Sequence, residues 1–258
     1  ALWAAHGPAT QLQVVPNDLI LTPGESATLK VRALDANGFV VNEVEDVSKV
    51  NFAKFIPPTA KVRTEMDAYF TADGKLATTD CAETSAGAFK ASLNGLQGIF
   101  RGRAMPAVSI DEDFSNYELA EARPDGTKFD YPPLPWIGAR FKWEIQDVDG
   151  NKALTKTLDN VLFQRAITFI GDPNASNYTV QADVMTDGNR RMMSNVGVIN
   201  QRYFINLIGN WQQLEVSSNH ERVKVSVPFK WKAKTWYRLK SRVDIAEDGS
   251  GVVRAKVW

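Results

Sequence analysis

At 258 residues, 44% hydrophobic and 23% charged, the chain is globular and long enough for one large or two ordinary domains. Its 30 basic and 30 acidic residues balance, so no net field directs it to nucleic acid or an acidic lipid surface. No apolar run reaches the roughly 18 to 20 residues of a membrane span, and one cysteine and two histidines exclude an internal disulfide, a thiolate cluster and a His-rich metal site.

Residues 1–10 carry no clear period and read as a linker. With no Met, basic stretch or apolar leader at its start, the chain reads as a processed or excised piece of something longer. From Gln11 short strands are expected at 12–15, 18–21 and 26–34. In the last of these Ala27, Leu29, Val31 and Ala33 alternate with Ser26, Thr28, Lys30 and Arg32. Further strands are expected near 39–41, 49–55, 61–70, 86–93 and 97–104, with Asn94-Gly95 making a tight hairpin of the last two. Lone Cys81 is expected to be a small buried hydrophobe. Strands at this spacing, without a helix, predict an antiparallel sandwich.

The segment VVPNDLILTPGESATLKVRALDANGFVV resembles the opening of bacterial immunoglobulin-like domains of secreted proteins. The resemblance implies an Ig-like β-sandwich over 11–106, a fold that serves mainly as a spacer.

Met105-Pro106-Ala107 is the expected boundary, and 110–117 the first strand of a second domain, 107–258. Three prolines in Tyr131-Pro132-Pro133-Leu134-Pro135-Trp136 remove ladder donors and make that stretch a loop. Strands follow at 140–147, 153–156 and 161–170, with a turn at Asp149-Gly150. The stretch 177–214 gives four more at 178–185, 196–199, 203–208 and 212–216. They are broken by Asp187-Gly188, Asn200-Gln201-Arg202 and Gly209-Asn210. The last strands are 222–227, 236–245 and 252–258.

The DFSNY opening, GNKAL, the block FQRAITFIGDPNASNYTVQADV, VGVINQRY and TWYRLKSRV together resemble a concanavalin-type, LamG-like jelly roll. In particular they are similar to the domain that follows PQQ-type β-propellers in planctomycete secreted proteins, after an Ig-like domain. The resemblance implies an all-β chain, an Ig-like sandwich followed by a jelly roll, at work in the periplasm or on the cell surface. It implies sugar binding as a family habit, with a polysaccharide, the rest of a propeller protein or a neighbouring subunit as partner. Such a domain closes with further strands beside its first one, so the chain is expected to be part of a longer polypeptide.

Sugar recognition uses planar hydrogen-bonding side chains and an aromatic platform. Arg165, Arg190, Arg191, Asn200, Gln201, Arg202, Tyr203, Asn206 and Trp211 supply both and form the candidate ligand site, against the plainer reading of a polar turn and an edge filler. A glycosidase needs two carboxylates roughly 5 to 10 Å apart. Asp111-Glu112-Asp113, Asp147, Asp149 and the isolated Glu215 do not repeat the alternate spacing that jelly-roll hydrolases use. The preferred reading is a non-catalytic binding or attachment module. A hydrolase of the 3-keto-disaccharide type and a purely structural surface component are the alternatives. No cofactor is implied. Calcium at Asp147-Val148-Asp149-Gly150-Asn151, or at Asp172 and Asn174, competes with ordinary turn chemistry.

A basic stripe is also expected. If 222–227, 236–245 and 252–258 are neighbours, Val223, Val225, Val227, Leu239, Val243, Val253 and Val257 point inward. Arg222, Lys224, Arg238, Lys240, Arg242, Arg254 and Lys256 then share the outer face, a surface suited to an anionic polysaccharide or another acidic surface, against the plainer reading of a solvated face with edge-protecting lysines.

Overall fold

The alternation becomes antiparallel sheet in both halves of the chain, and the protein is all-β, with one 3₁₀ turn at Val47–Lys49 among the described residues. The structure, a computed structural model, describes residues 7–60, 62–140, 142–157, 165–189 and 192–258. Its chain divides into two units, 1–172 and 173–258, so Met105-Pro106-Ala107 lies inside the first.

The first unit opens with β1 (Gln11–Val15), β2 (Asp18–Leu21), β3 (Ser26–Ala27), β4 (Lys30–Leu34) and β5 (Val40–Glu43). It continues with β6 (Asn51–Phe55), β7 (Tyr69–Phe70), β8 (Leu76–Ala77), β9 (Ser85–Leu93) and β10 (Leu96–Ala104). Sheet β1-β4-β5 faces sheet β2-β10-β9-β6 across one core, to which Leu12, Val14, Val31 and Ala33 come from one side and Phe89, Ala91 and Phe100 from the other. This is a β-sandwich, with β2 and β10 as its parallel pair. Asn94 (φ 50°) and Gly95 (φ 82°) form the two-residue turn joining β9 to β10.

Three expectations need correction here. The strand expected over 26–34 breaks at Thr28-Leu29, because β3 pairs with β8 whereas β4 pairs with β1. Inward alternation nonetheless survives the switch, with Leu29, Val31 and Ala33 all buried. Of the strand expected at 61–70, only β7 forms within the described residues. Thr64 Oγ1 donates to Ala86 O (2.9 Å), and the Asp67 amide donates to Ser85 Oγ (2.8 Å). Met66 lies so close to Gly87 that a Cβ there would meet its amide nitrogen at 2.4 Å. The segment is thus a cover over β9 rather than a ladder partner. Cys81 is exposed, because it sits in the turn after β8, 3.6 Å from Thr79 Oγ1, and not on a strand face.

The rest of the first unit holds two hairpins, β11 (Glu121–Ala122) with β12 (Lys128–Phe129) and β13 (Trp143–Val148) with β14 (Asn151–Lys156). The strand expected at 110–117 does not form. Glu112 Oε1 accepts the Phe114 amide (2.8 Å), Asp113 Oδ1 accepts that of Ser115 (2.9 Å), and Phe114 takes a φ of 59°. These acidic side chains take the amides that a ladder would use. The strand expected at 161–170 falls partly outside the described residues, and Phe169 contributes a single bridge to Ile137. The proline stretch is a loop, as its missing donors require.

The second unit contains β15 (Thr179–Val184), β16 (Val196–Asn200), β17 (Tyr203–Ile208) and β18 (Gln213–Ser218). After them come β19 (Val223–Pro228), β20 (Tyr237–Ile245) and β21 (Gly251–Val257). Sheet β15-β20-β21 packs on sheet β16-β17-β18-β19 through Val184, Leu239, Ile205, Leu207 and Leu214, with Trp231 closing the core. This too is a sandwich, and β15 belongs to the opposite sheet from the three strands that follow it.

The inward valines of β19 are a correction. Val223, Val225 and Val227 share a face with buried Leu214 and half-buried Val216, yet they are 39%, 60% and 50% exposed. Their alternation is right, but β19 is the edge of a four-stranded sheet facing a three-stranded one, and among the described residues it stays exposed.

Candidate functional site

Of the nine candidate residues, Arg190 and Arg191 lie outside the described residues, and Arg165 belongs to the first unit. The other six are in the second unit, and the structure separates them. Asn200 is wholly buried, its Nδ2 donating to the carbonyls of Tyr178 and Ser241, each at 3.1 Å. Gln201 takes the left-handed turn position (φ 54°), with its amide on the Tyr178 hydroxyl at 3.0 Å. Tyr203 packs against the core. Arg202 is exposed, with Nη1 3.1 Å from His220 Nδ1 and 3.5 Å from Glu221 Oε1.

Trp211 terminates the other end of β17, whose six residues span about 20 Å at the usual rise. Arg202 and Trp211 are therefore rooted beyond opposite ends of that strand. What Trp211 joins instead is the outer face of the four-stranded sheet. Register sets Gly197, Asn206, Glu215 and Ser226 in one row across β16, β17, β18 and β19. Gly197 is required there, because a Cβ would lie 2.3 Å from Asn206 Oδ1 and 2.2 Å from Ile205 O. Glu215 is 7% exposed, and its Oε2 lies 3.1 Å from Lys224 Nζ and 3.4 Å from Ser226 Oγ. Lys224 Nζ stands 5.6 Å from the centre of the Trp211 ring, a cation–π distance.

The turn that carries Trp211 is held from several sides. Gly209 donates to Asn195 Oδ1 (2.8 Å), and a Cβ on it would meet Met193 O at 2.1 Å. Asn210 Oδ1 accepts the Met193 amide (2.8 Å), while Gln212 Oε1 accepts the Trp231 amide (2.8 Å). On this fixed base the indole is 66% exposed. The face thus offers a flat aromatic plate beside amide, hydroxyl and carboxylate groups, with the charge of Glu215 matched by Lys224. Glu215, Lys224 and Ser226 were not legible as a group, since cross-strand pairing brings them together and linear spacing does not.

The remaining charges are elsewhere. On β20, Arg238 grips Asp183 by two bonds of 2.6 Å, which hold the carboxyl below the ordinary range. Arg242, with Arg254, does the same for Asp244. In the first unit, Glu112, Asn116, Tyr117, Glu118 and Asp130 line an acidic cleft. There, partial burial and the charges of Glu112 and Asp130 push the Tyr117 hydroxyl up to about 12. No group of three or more His, Cys, Asp or Glu residues placed to hold a metal occurs among the described residues. Asp147 Oδ1 accepts the Gly150 amide (2.9 Å), and Asp149 (φ 55°) with Gly150 (φ 85°) turns β13 into β14.

No family model and no curated protein matches the chain. Among solved structures, a DUF4784 family protein from Bacteroides caccae ATCC 43185 is similar at 10% identity over 96% of this chain and 68% of that one. Its TM-score is 0.19, too low to bear on fold or function.

Proposed function

We propose that the chain is a non-catalytic carbohydrate-binding module, acting outside the cytoplasm as part of a larger secreted protein. The observation that carries this reading is the exposed Trp211 plate on its fixed turn, linked through Lys224 to the row of Asn206, Glu215 and Ser226. Sugar rings stack on an indole and present hydroxyls to planar amides and carboxylates, and this face supplies both. The motif resemblance to an Ig-like spacer followed by a LamG-like domain supports the same reading. Hydrolysis is less well served. Glu215 is the single carboxylate among the described outer-face strand residues of the four-stranded sheet, and it is committed to Lys224.

A structural role has one observation in its favour, the exposed valines of β19. Against it, Lys224 and Pro228 sit on that edge strand, and both blunt strand pairing.

Trp211→Ala is expected to weaken binding of an uncharged oligosaccharide by roughly five- to thirty-fold, from a stacking loss of about 1–2 kcal/mol. Arg202→Ala should leave it unchanged. Calorimetry on a ligand identified by glycan array measures both, and equal affinities for Trp211→Ala and wild type would remove the basis of the proposal.

A further inference from the structure

We infer that the outer face of sheet β15-β20-β21 carries a separate anion site, for the sulfate or carboxylate groups of an acidic polysaccharide. It lies on the opposite sheet from Trp211 and does not depend on that face. The stripe expected from sequence changes composition here. Because β19 belongs to the other sheet, Arg222 and Lys224 drop out, while Arg238, Lys240, Arg242, Arg254 and Lys256 remain.

Register then sets like charges directly opposite one another twice, Arg242 against Arg254 and Lys240 against Lys256. Such pairs repel on neighbouring strands, where Cβ atoms are only about 4.5–5.5 Å apart. The arginine row is relieved internally. Asp244 Oδ1 lies 2.6 Å from Arg242 Nε, and its Oδ2 lies 2.6 Å from Arg254 Nη1. Arg238 is likewise matched, by Asp183 of β15. The lysine row has no such relief. Its third member is Gln181, and neither lysine forms an ion pair within the described residues. Two exposed lysines at directly opposed positions, with the neighbouring cations already matched, make a local anion seat.

What sits beside the seat narrows the ligand. Lys256 Nζ is 4.9 Å from the centre of the Trp258 ring, and Trp258 is 50% exposed in the next row. A sugar ring stacked on that indole would place its acidic substituent between the lysines, with Gln181 to receive a hydroxyl. The neutralised arginine rows favour widely spaced anions over a dense polyphosphate. The balanced charge of the whole chain supplies no field to draw nucleic acid or an anionic bilayer.

The test uses the full chain in a Trp211→Ala background, which weakens the other face, at polymer concentrations where uncharged dextran gives no signal. Titration with dextran sulfate, polygalacturonate and uncharged dextran is expected to show salt-sensitive binding to a charged polymer and none to dextran. Preference for dextran sulfate would assign sulfate, and preference for polygalacturonate would assign carboxylate. Adding Lys240→Ala and Lys256→Ala should cost about ten-fold or more, whereas the Lys240→Arg/Lys256→Arg pair should retain binding. Circular dichroism melts keep loss of fold apart from loss of the site, since both side chains are exposed. No binding to either charged polymer would overturn the assignment. So would undiminished binding by a folded double-alanine variant, or tighter binding of duplex DNA or phosphatidylserine vesicles at the same salt.

Discussion

Asn200→Asp is expected to cost the second unit about 3–5 kcal/mol at neutral pH, the range for an uncompensated buried charge. Asn200 is 0% exposed, and its amide donates to the carbonyls of Tyr178, just before β15, and of Ser241 on β20, the middle strand of the opposite sheet. An aspartate would turn carboxylate oxygens onto those carbonyls, and among the described residues no donor reaches the Asn200 Oδ1 position. Burial would therefore push its carboxyl above the ordinary range, so the folded state would bind the proton more tightly than the unfolded one. The sign follows. The deficit is smallest below the unfolded value of about 4, grows as pH rises through the elevated folded value, and is constant above it. Asn200→Ala loses only the two hydrogen bonds, should cost about 1–3 kcal/mol, and should show no such pH dependence. Amide exchange of β17 and β20 reads both, and an Asn200→Asp protein as stable as wild type at neutral pH would show that the two carbonyls do not converge on this side chain.

Phe89→Ala should cost the first unit a similar amount, about 3–5 kcal/mol. Phe89 is 0% exposed, at 5.3 Å edge-on to Phe70 and 5.2 Å from Phe100, while Phe70 stacks on Phe52 at 5.0 Å. Its removal opens a void among rings fixed on several strands, which cannot close without moving the sheets. Urea unfolding measures the loss, and a change under about 1 kcal/mol would contradict a core shared by the two sheets.

Strand identity was largely legible because period-2 alternation and turn residues act locally. The strand at Tyr203–Ile208 and the Asn94-Gly95 hairpin emerge where the residues place them. Partnership was not legible. Leu29 stays inward although the chain changes sheets beside it, and Val223, Val225 and Val227 alternate correctly on an edge strand that leaves them exposed. The expected strand at 110–117 failed for a local reason that could have been read: Glu112 and Asp113 precede amides they can cap. Crowding in sequence is not crowding in space. Asn200, Arg202 and Trp211 are neighbours along the chain, but one is buried between sheets and the others end β17 on opposite sides. Glu215 seemed isolated until register placed Lys224 and Ser226 beside it.

The most direct measurement is a nuclear magnetic resonance titration of the ¹⁵N-labelled chain with the tightest uncharged oligosaccharide from a glycan array. Shift changes should centre on the Trp211 indole and the amides of Asn206, Glu215 and Ser226, with Arg202 and His220 silent. Changes centred on Arg202, His220 and Glu221, or a saturating ligand that leaves Trp211 untouched, would contradict a carbohydrate site on the outer face of the four-stranded sheet.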